Sequence, residues 1–387
     1  MPRLFVARLK RVVLLLALLV VTGLLAGSVL SRWARQVDAE NAGLSADLEA
    51  MFYDRASGLI TGEAALLDHL YDVTRLSGRY AHEHELAREK MTRDWLRKRK
   101  VHVTHLESNL KVVSARIEGD RARTSVCQHL LVTYHHEADS SAGDSVMGTR
   151  TIHWLELVRQ EGRWLIQRDW FWDPFKDDET SLTDVVELTR DAPYPAPSRR
   201  QAPSTLGVSN RGRFNRAAAV AYADRYCGVR MANGDGRYNQ RYRDYTSLGG
   251  DCTNFVSQVL GDPEAGAIPQ DWVWSSRAPA ASRAWVRADA LVDYLLDSGR
   301  ATLLARGALQ AVAEPTPECP DGPVFSLEPG DVVAYEKEGV IEHLCVVVGQ
   351  DASGYPVVDS HSGDRYHLPW DLGHHGRTKY WLLRIVY

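Results

Sequence analysis

The 387-residue chain carries 46 Lys+Arg against 50 Asp+Glu, a formal net charge of −4, and 44% hydrophobic residues. That length accommodates two domains with their own cores, and the composition is globular rather than disordered. The near-balance of charge, with no basic stripe, excludes a nucleic-acid-binding footprint.

The first predicted element is a membrane segment. Arg3, Arg8, Lys10 and Arg11 precede an uncharged run from Val12 to Leu30, close to the ~20 residues needed to cross a bilayer. The positive flank places the start inside and the remainder outside. Residues 1–37 thus read as a cytoplasmic stub and single-pass anchor in the cell membrane, with the domains on the extracytoplasmic side. Cleavage at the small residues Ala26-Gly27-Ser28 is the alternative, and it would make the protein secreted. Five cysteines, Cys127, Cys227, Cys252, Cys319 and Cys345, are too few for a disulfide framework. Outside the cell an odd count leaves at least one thiol unpaired in a monomer.

Residues 38–178 read as an α+β domain. Leu44 to Ala56 and Glu63 to Tyr71 have the pattern of short amphipathic helices, and Tyr80 to Arg99 that of a longer one. Strand patterns follow over Val101–Leu106, Leu110–Glu118 and Arg121–Tyr134, then a hairpin of Arg150–Arg159 and Arg163–Trp172 about Glu161-Gly162. Helices followed by a curved antiparallel sheet suggest a cone-shaped fold like that of nuclear transport factor 2. His82-Glu83-His84-Glu85 invites a metal reading, but successive histidines on a helix point to different sides, so a solvated helix start is the assignment. Trp164, Trp170 and Trp172 alternate at strand spacing, as packing residues or, alternatively, as the lining of a ligand pocket. The partner of this accessory domain is not legible.

Residues 179–208 form a proline-rich linker, including Asp191-Ala192-Pro193-Tyr194-Pro195-Ala196-Pro197, whose composition favours extended geometry. Few contacts are expected to cross it, so 209–387 is expected to fold alone. That segment opens with a helix former, Asn215 to Tyr226, with an asparagine cap. Gly249-Gly250-Asp251-Cys252-Thr253-Asn254-Phe255-Val256-Ser257-Gln258 is a glycine turn running into a second helix. Cys252 then stands at a helix N-terminus, where the unpaired N–H groups and helix dipole favour a thiolate, the nucleophilic form. Arg287 to Ser298 is a further helix. Asp331–Tyr335, Glu342–Gly349, Tyr355–His361 and Tyr380–Val386 are candidate strands. A nucleophile helix before a small antiparallel sheet is the chain order of a papain-like hydrolase. His343, near the start of the second strand, could take the Cys252 proton and later protonate the leaving amine. Trp272 and Trp274 are read as either cleft or core.

Phe214 to Tyr387 resembles the "putative amidase domain" family of bacterial surface and spore-related proteins, which is similar to CHAP-type and other papain-like cell-wall amidases. The likeness rests on Ala217 to Ala223, Gly249 to Gln258, Glu342-His343 and Ser360-His361-Ser362. Tyr80 to Leu86 and Trp170 to Phe175 resemble the extension often joined to this domain. The resemblance implies Cys252 as nucleophile and His343 as general base. Cys345 departs from the small residue expected there, and Cys227 from an aromatic one.

A third group should orient His343. If Gly349 lies opposite Tyr355, His343 faces His361; a two-residue shift would place Asp359 there instead. A carboxylate suits the chemistry better, but the resemblance runs through His361, which is the choice. The resulting expectation is an extracytoplasmic cysteine amidase acting on a cell-wall peptide or other amide, with Cys252, His343 and His361 as catalytic residues. No cofactor or metal is required. A non-catalytic surface binding protein and an acyltransferase using the same Cys–His pair are the rival readings.

Overall fold

The computed structural model describes residues 42–137, 143–175, 213–229, 236–277, 280–373 and 377–387. The expected membrane run Val12–Leu30 and the linker 179–208 lie outside the described residues. Among the described residues no helix is long and apolar enough to cross a membrane. The chain divides into two compact units, Met1–Ala50 and Met51–Tyr387. Of the first, residues 42–50 are described and helical. The second holds the sheet and every candidate site residue.

The fold of this second unit is mixed α+β, built on a large antiparallel sheet. After a helical stretch over 51–61 comes α1 (Leu76–Arg99), then β1 (Val101–Glu118), β2 (Arg121–His136), β3 (Ser145–Gln160) and β4 (Arg163–Trp170). Strand β1 is a single long one, where polar Glu107-Ser108-Asn109 predicts a break. The chain continues through two register shifts, between Val103 and His105 and between Val112 and Ser114. Bulges absorb the twist there without ending the pairing.

The later segment supplies α2 (Arg216–Tyr226), α3 (Cys252–Gly261), α4 (Ala288–Asp297), β5 (Ala301–Gly307), β6 (Val332–Lys337), β7 (Val340–Gln350), β8 (Pro356–Ser360), β9 (Asp364–Pro369) and β10 (Lys379–Ile385). Strands β5 and β9 are absent from the sequence-based expectation. Charged Asp364, Arg365 and His367 break the apolar pattern of β9.

The strands join in the order β1-β2-β3-β9-β8-β7-β6-β10-β5, with β4 on β3. The joint between the early and late strands is β3 on β9, with Gly148 opposite Tyr366 and Arg150 opposite Asp364. A Cβ at position 148 would meet Val229 Cγ1 at 2.9 Å and Leu131 Cδ2 at 2.7 Å, so glycine is what lets the segments close here.

Along β6 and β7 the side chains alternate between two cores. Val332, Ala334, Leu344, Val346 and Val348 pack with Phe255, Val256, Leu291 and Leu295. Val333, Tyr335, Cys345 and Val347 pack in a second cluster that includes Trp95, Leu96, Leu130, Tyr134 and Phe175. The expectation of few contacts between 38–178 and 209–387 therefore does not hold within this unit, because a core face and a sheet run through both.

Candidate active site

Gly249 and Gly250 lead into α3 with φ of 111° and 122°, a backbone that side-chain-bearing residues rarely adopt. The turn drops the chain straight into a helix whose every residue is buried. Asp251, at the capping position, makes no side-chain cap. Its Oδ1 instead accepts from Tyr245 N at 2.7 Å and Asn254 Nδ2 at 2.9 Å. Further along, Asn254 Oδ1 accepts from Trp285 Nε1 at 2.8 Å, and Ser257 Oγ accepts from Trp274 Nε1 at 2.9 Å. Both indoles are fully buried, whereas Trp272 is 92% exposed. Trp274 is thus core, and neighbouring Trp272 is surface.

Cys252 is the first residue of α3. Its Sγ lies 3.8 Å from Thr253 Oγ1, and the helix packs against β7, where the Leu344 backbone favours the thiolate. The β7–β8 ladder runs from Gln350 only as far as Val346, so Leu344 lies past its end. Burial pushes the thiol up; the Leu344 backbone and the Thr253 hydroxyl oppose this without overcoming it. The thiolate expected from the helix dipole is therefore not the resting form, because desolvation outweighs the helix end.

His343 is half-buried and pairs with Tyr335 across β6, the rings 5.8 Å apart. Its Nε2 lies 3.3 Å from Ser360 Oγ. Burial lowers its basicity well below the ordinary histidine range, and Arg365 and Lys337 add to that. It is a neutral imidazole. The sulfur of Cys252 meets β7 at Leu344, the residue next to His343. By strand alternation, however, His343 shares the face of Tyr335 and Cys345 rather than that of Leu344.

His361 is fully buried elsewhere. Nδ1 is 2.6 Å from Asp251 Oδ2 and Nε2 is 2.7 Å from the Tyr226 carbonyl. The ring is stacked between Tyr238 at 3.6 Å and Phe255 at 4.2 Å. It does not face His343, and the reason is register. Val346 pairs with Asp359 and Val347 with Val358, with a bulge before Gly349 and Val357. This is an odd offset from the expected pairing, so Asp359 and His361 leave the His343 face and Ser360 takes it. Asp359 is fully buried; its Oδ1 accepts from His367 N at 2.7 Å. Desolvation and the neighbouring Asp224 push its carboxyl well up.

Ser360-His361-Ser362 nonetheless ties the site together. Ser360 reaches His343, His361 holds Asp251, and Ser362 Oγ accepts from Asp251 N at 2.7 Å. Asp251 and Ser360 are site members that sequence reasoning misses. Both stand inside the motif runs, but a helix cap is the nearer reading for Asp251.

Other candidates resolve simply. Cys345 is buried, with Arg365 Nη1 3.7 Å from its Sγ. Cys127, Cys227, Cys252, Cys319 and Cys345 are all free thiols. Glu85, from the histidine-rich run, is buried between Arg55 (2.6 Å) and Arg88 (2.9 Å), which hold its carboxyl down at about 2 against the cost of burial. Trp164 is core. Trp170 is exposed and lines an open groove with Trp154, Arg116 and Arg168.

Residues 213–383 match the family described as "putative amidase domain", which supports the likeness read from the motifs. A curated relative, "Uncharacterized protein YhbB" of Bacillus subtilis (strain 168), is 27% identical over 173 residues, covering 43% of this chain and 44% of that protein. The chain thus spans less than half of this relative's length. Among solved structures, an NTF-2 like protein of unknown function from Silicibacter pomeroyi aligns at 14% identity and TM-score 0.21, over 34% of this chain and 96% of that one. A Mycobacterium tuberculosis protein of unknown function aligns at 14% identity and TM-score 0.24, over 35% and 73%.

Proposed function

We propose that the later segment is a papain-like cysteine amidase. The reading rests on one observation above all: Cys252 opens a buried helix that packs against β7, with the Leu344 backbone, one residue from His343, beside its sulfur. In this reading the His343 ring turns at the start of β7 to meet the sulfur, and Cys252 Sγ attacks an amide carbonyl as the neutral imidazole takes the thiol proton. His343 then gives that proton to the departing amine. Water hydrolyses the thioester that remains, its proton returning the thiol. The Cys252 N–H, free at the helix start, would donate to the oxyanion. Asp251, Ser360 and His361 act as positioning residues. His361 thereby takes a different role from the one assigned to it on sequence.

The substrate class we propose is a cell-wall peptide or other amide, met outside the cytoplasm by a protein anchored through Val12–Leu30. The cone-like accessory segment serves as its companion. The resting thiol favours one rival, a non-hydrolytic binding protein, and a single experiment separates the two. Full-length protein and its Cys252→Ala variant are assayed for released amine on cell-wall material and labelled with an iodoacetamide probe. The expected result is hydrolysis and Cys252 labelling in the first and neither in the second, with unchanged melting. Turnover that survives in a folded Cys252→Ala protein would sink the mechanism.

A further inference from the structure

A second cluster lies beside the frame of the site, on the opposite side of β8 from His343. Asp224 is on the last turn of α2, Asp359 on β8 and His367 on β9. Asp224 and His367 stand 143 residues apart in sequence, yet His367 Nε2 is 2.9 Å from Asp224 Oδ1. One ligand atom from each of the three lies within 4.8 Å of the others. Donors ~2.0–2.4 Å from a common ion stand no more than ~4.8 Å apart, so the spacing fits one ion.

The independent observation is Asp359. It is fully buried, its Oδ1 is used by the His367 backbone, and its Oδ2 takes no hydrogen bond. The Asp224 carboxyl stands close enough for the two charges to repel. A buried carboxylate oxygen without a donor, beside a second carboxylate, is costly unless a cation or a shared proton sits between them. The His367 ring is held flat against Tyr366, centroids 4.0 Å apart at 5°, which fixes the direction of its nitrogen. Asp224 and His367 are each about one-third exposed, at 31% and 32%. The site therefore has a buried floor and an open side through which an ion and its waters could enter.

We propose that Asp224, Asp359 and His367 bind one divalent transition-metal cation. Two carboxylates and an imidazole are a donor set suited to Zn2+ or Mn2+, with water completing the shell. The ion would clamp the end of α2 to β8 and β9. The end of α2 and β8 also hold His361, through the Tyr226 carbonyl and through the chain after Asp359. The ion would thus brace the Asp251–His361 contact from outside without touching substrate. The proposal is independent of the amidase reading.

The test uses the full-length protein in detergent, dialysed separately against Zn2+ and Mn2+ and then freed of excess ion. Bound metal is counted by mass spectrometry and the melting temperature is recorded alongside. About one ion per chain and a raised melting temperature are expected with at least one of the two metals. The ion should be lost in Asp359→Asn and in Asp224→Asn, and retained in Cys252→Ala. Asp224 is partly exposed, so its variant tests the site even if Asp359→Asn fails to fold. Three results would overturn the proposal: no ion above background, an ion that survives Asp224→Asn, or an ion that leaves with Cys252.

Discussion

The two faces of the sheet around β6 and β7 are covered differently: one by the later segment alone, the other by both segments together. On one face Val332, Ala334, Leu344, Val346 and Val348 are covered by α2, α3 and α4, all from the later segment. On the other face Val333, Tyr335, Cys345 and Val347 share a cluster with Ala56, Leu59, Trp95, Leu130 and Tyr134 from the earlier one. The first face carries the nucleophile helix; the second carries His343 and Cys345. A segment matched on its own by a family model therefore shares, in this chain, one core cluster with residues upstream. One face of its sheet is completed in part by residues far upstream.

Removing the upstream partner tests this contrast most severely. A 209–387 fragment would expose Val333, Tyr335, Val347, Val358, Leu368 and Trp370 together, a contiguous apolar surface that aggregates rather than stays soluble. We expect it to lack a cooperative melt and near-ultraviolet circular dichroism, while the 51–387 piece keeps both. A fragment that melts sharply at the temperature of the longer piece would show that the second face is decoration.

Single substitutions probe the two faces more finely. Arg99 Nη2 is 2.5 Å from Asp371 Oδ2, and Trp95 Nε1 donates to Asp371 Oδ1 at 3.0 Å, all of them buried. His361 and Asp251 form the corresponding buried pair beside the nucleophile. Arg99→Met and His361→Ala each strand a buried carboxylate, at a cost of about 3–5 kcal/mol. Their functional consequences should differ. At a temperature where both remain folded, His361→Ala should lose Cys252 labelling and Arg99→Met should keep it. Equal losses in both would mean that the two pairs serve a single undivided core.

Much of this architecture is legible in the sequence, and the failures have physical causes. The α3 helix, β6 and β7 are read to within two residues at their ends, because glycine turns and alternating valines are local signals. Cys252 and His343 come with them. The partner of His343 is lost to one bulge between Val347 and Gly349, since a single-residue slip reverses every face and leaves no mark in composition. The joint between β3 and β9 is equally silent. Its residues, Arg150 and Asp364, read as surface charges until their 2.7 Å ion pair is seen. Burial also overrules the local argument for a thiolate, and burial is a property of the whole fold.

A weaker effect, a pH dependence, should separate His343 from the buried thiols of the two faces. His343 is held below its ordinary value by burial, with Arg365 and Lys337 adding to it. Cys252 is held above its ordinary value by burial, and so is Cys345. A histidine lowered on folding contributes stability that is present above its unfolded value. That stability is lost as pH falls below ~6.5, because only the unfolded chain takes the proton there. A thiol raised on folding contributes stability that is present below its unfolded value. That stability is lost as pH rises above ~8.5, where the unfolded chain ionises first. Other groups titrate in these ranges, so the readout is a difference between variants. Urea midpoints of His343→Gln, Cys345→Ala and Cys252→Ala are compared with those of the unaltered protein across the acid and alkaline limbs on either side of neutrality. Relative to the unaltered protein, His343→Gln should become less sensitive to acid, with its curve unchanged above neutrality. Cys345→Ala and Cys252→Ala should instead become less sensitive to alkali. If the His343→Gln difference is flat below ~6.5, the ring is solvated in solution and free to turn toward Cys252. In that case the alternation that separates the two faces would not hold at the start of β7, where the proposed chemistry needs the imidazole to meet the sulfur.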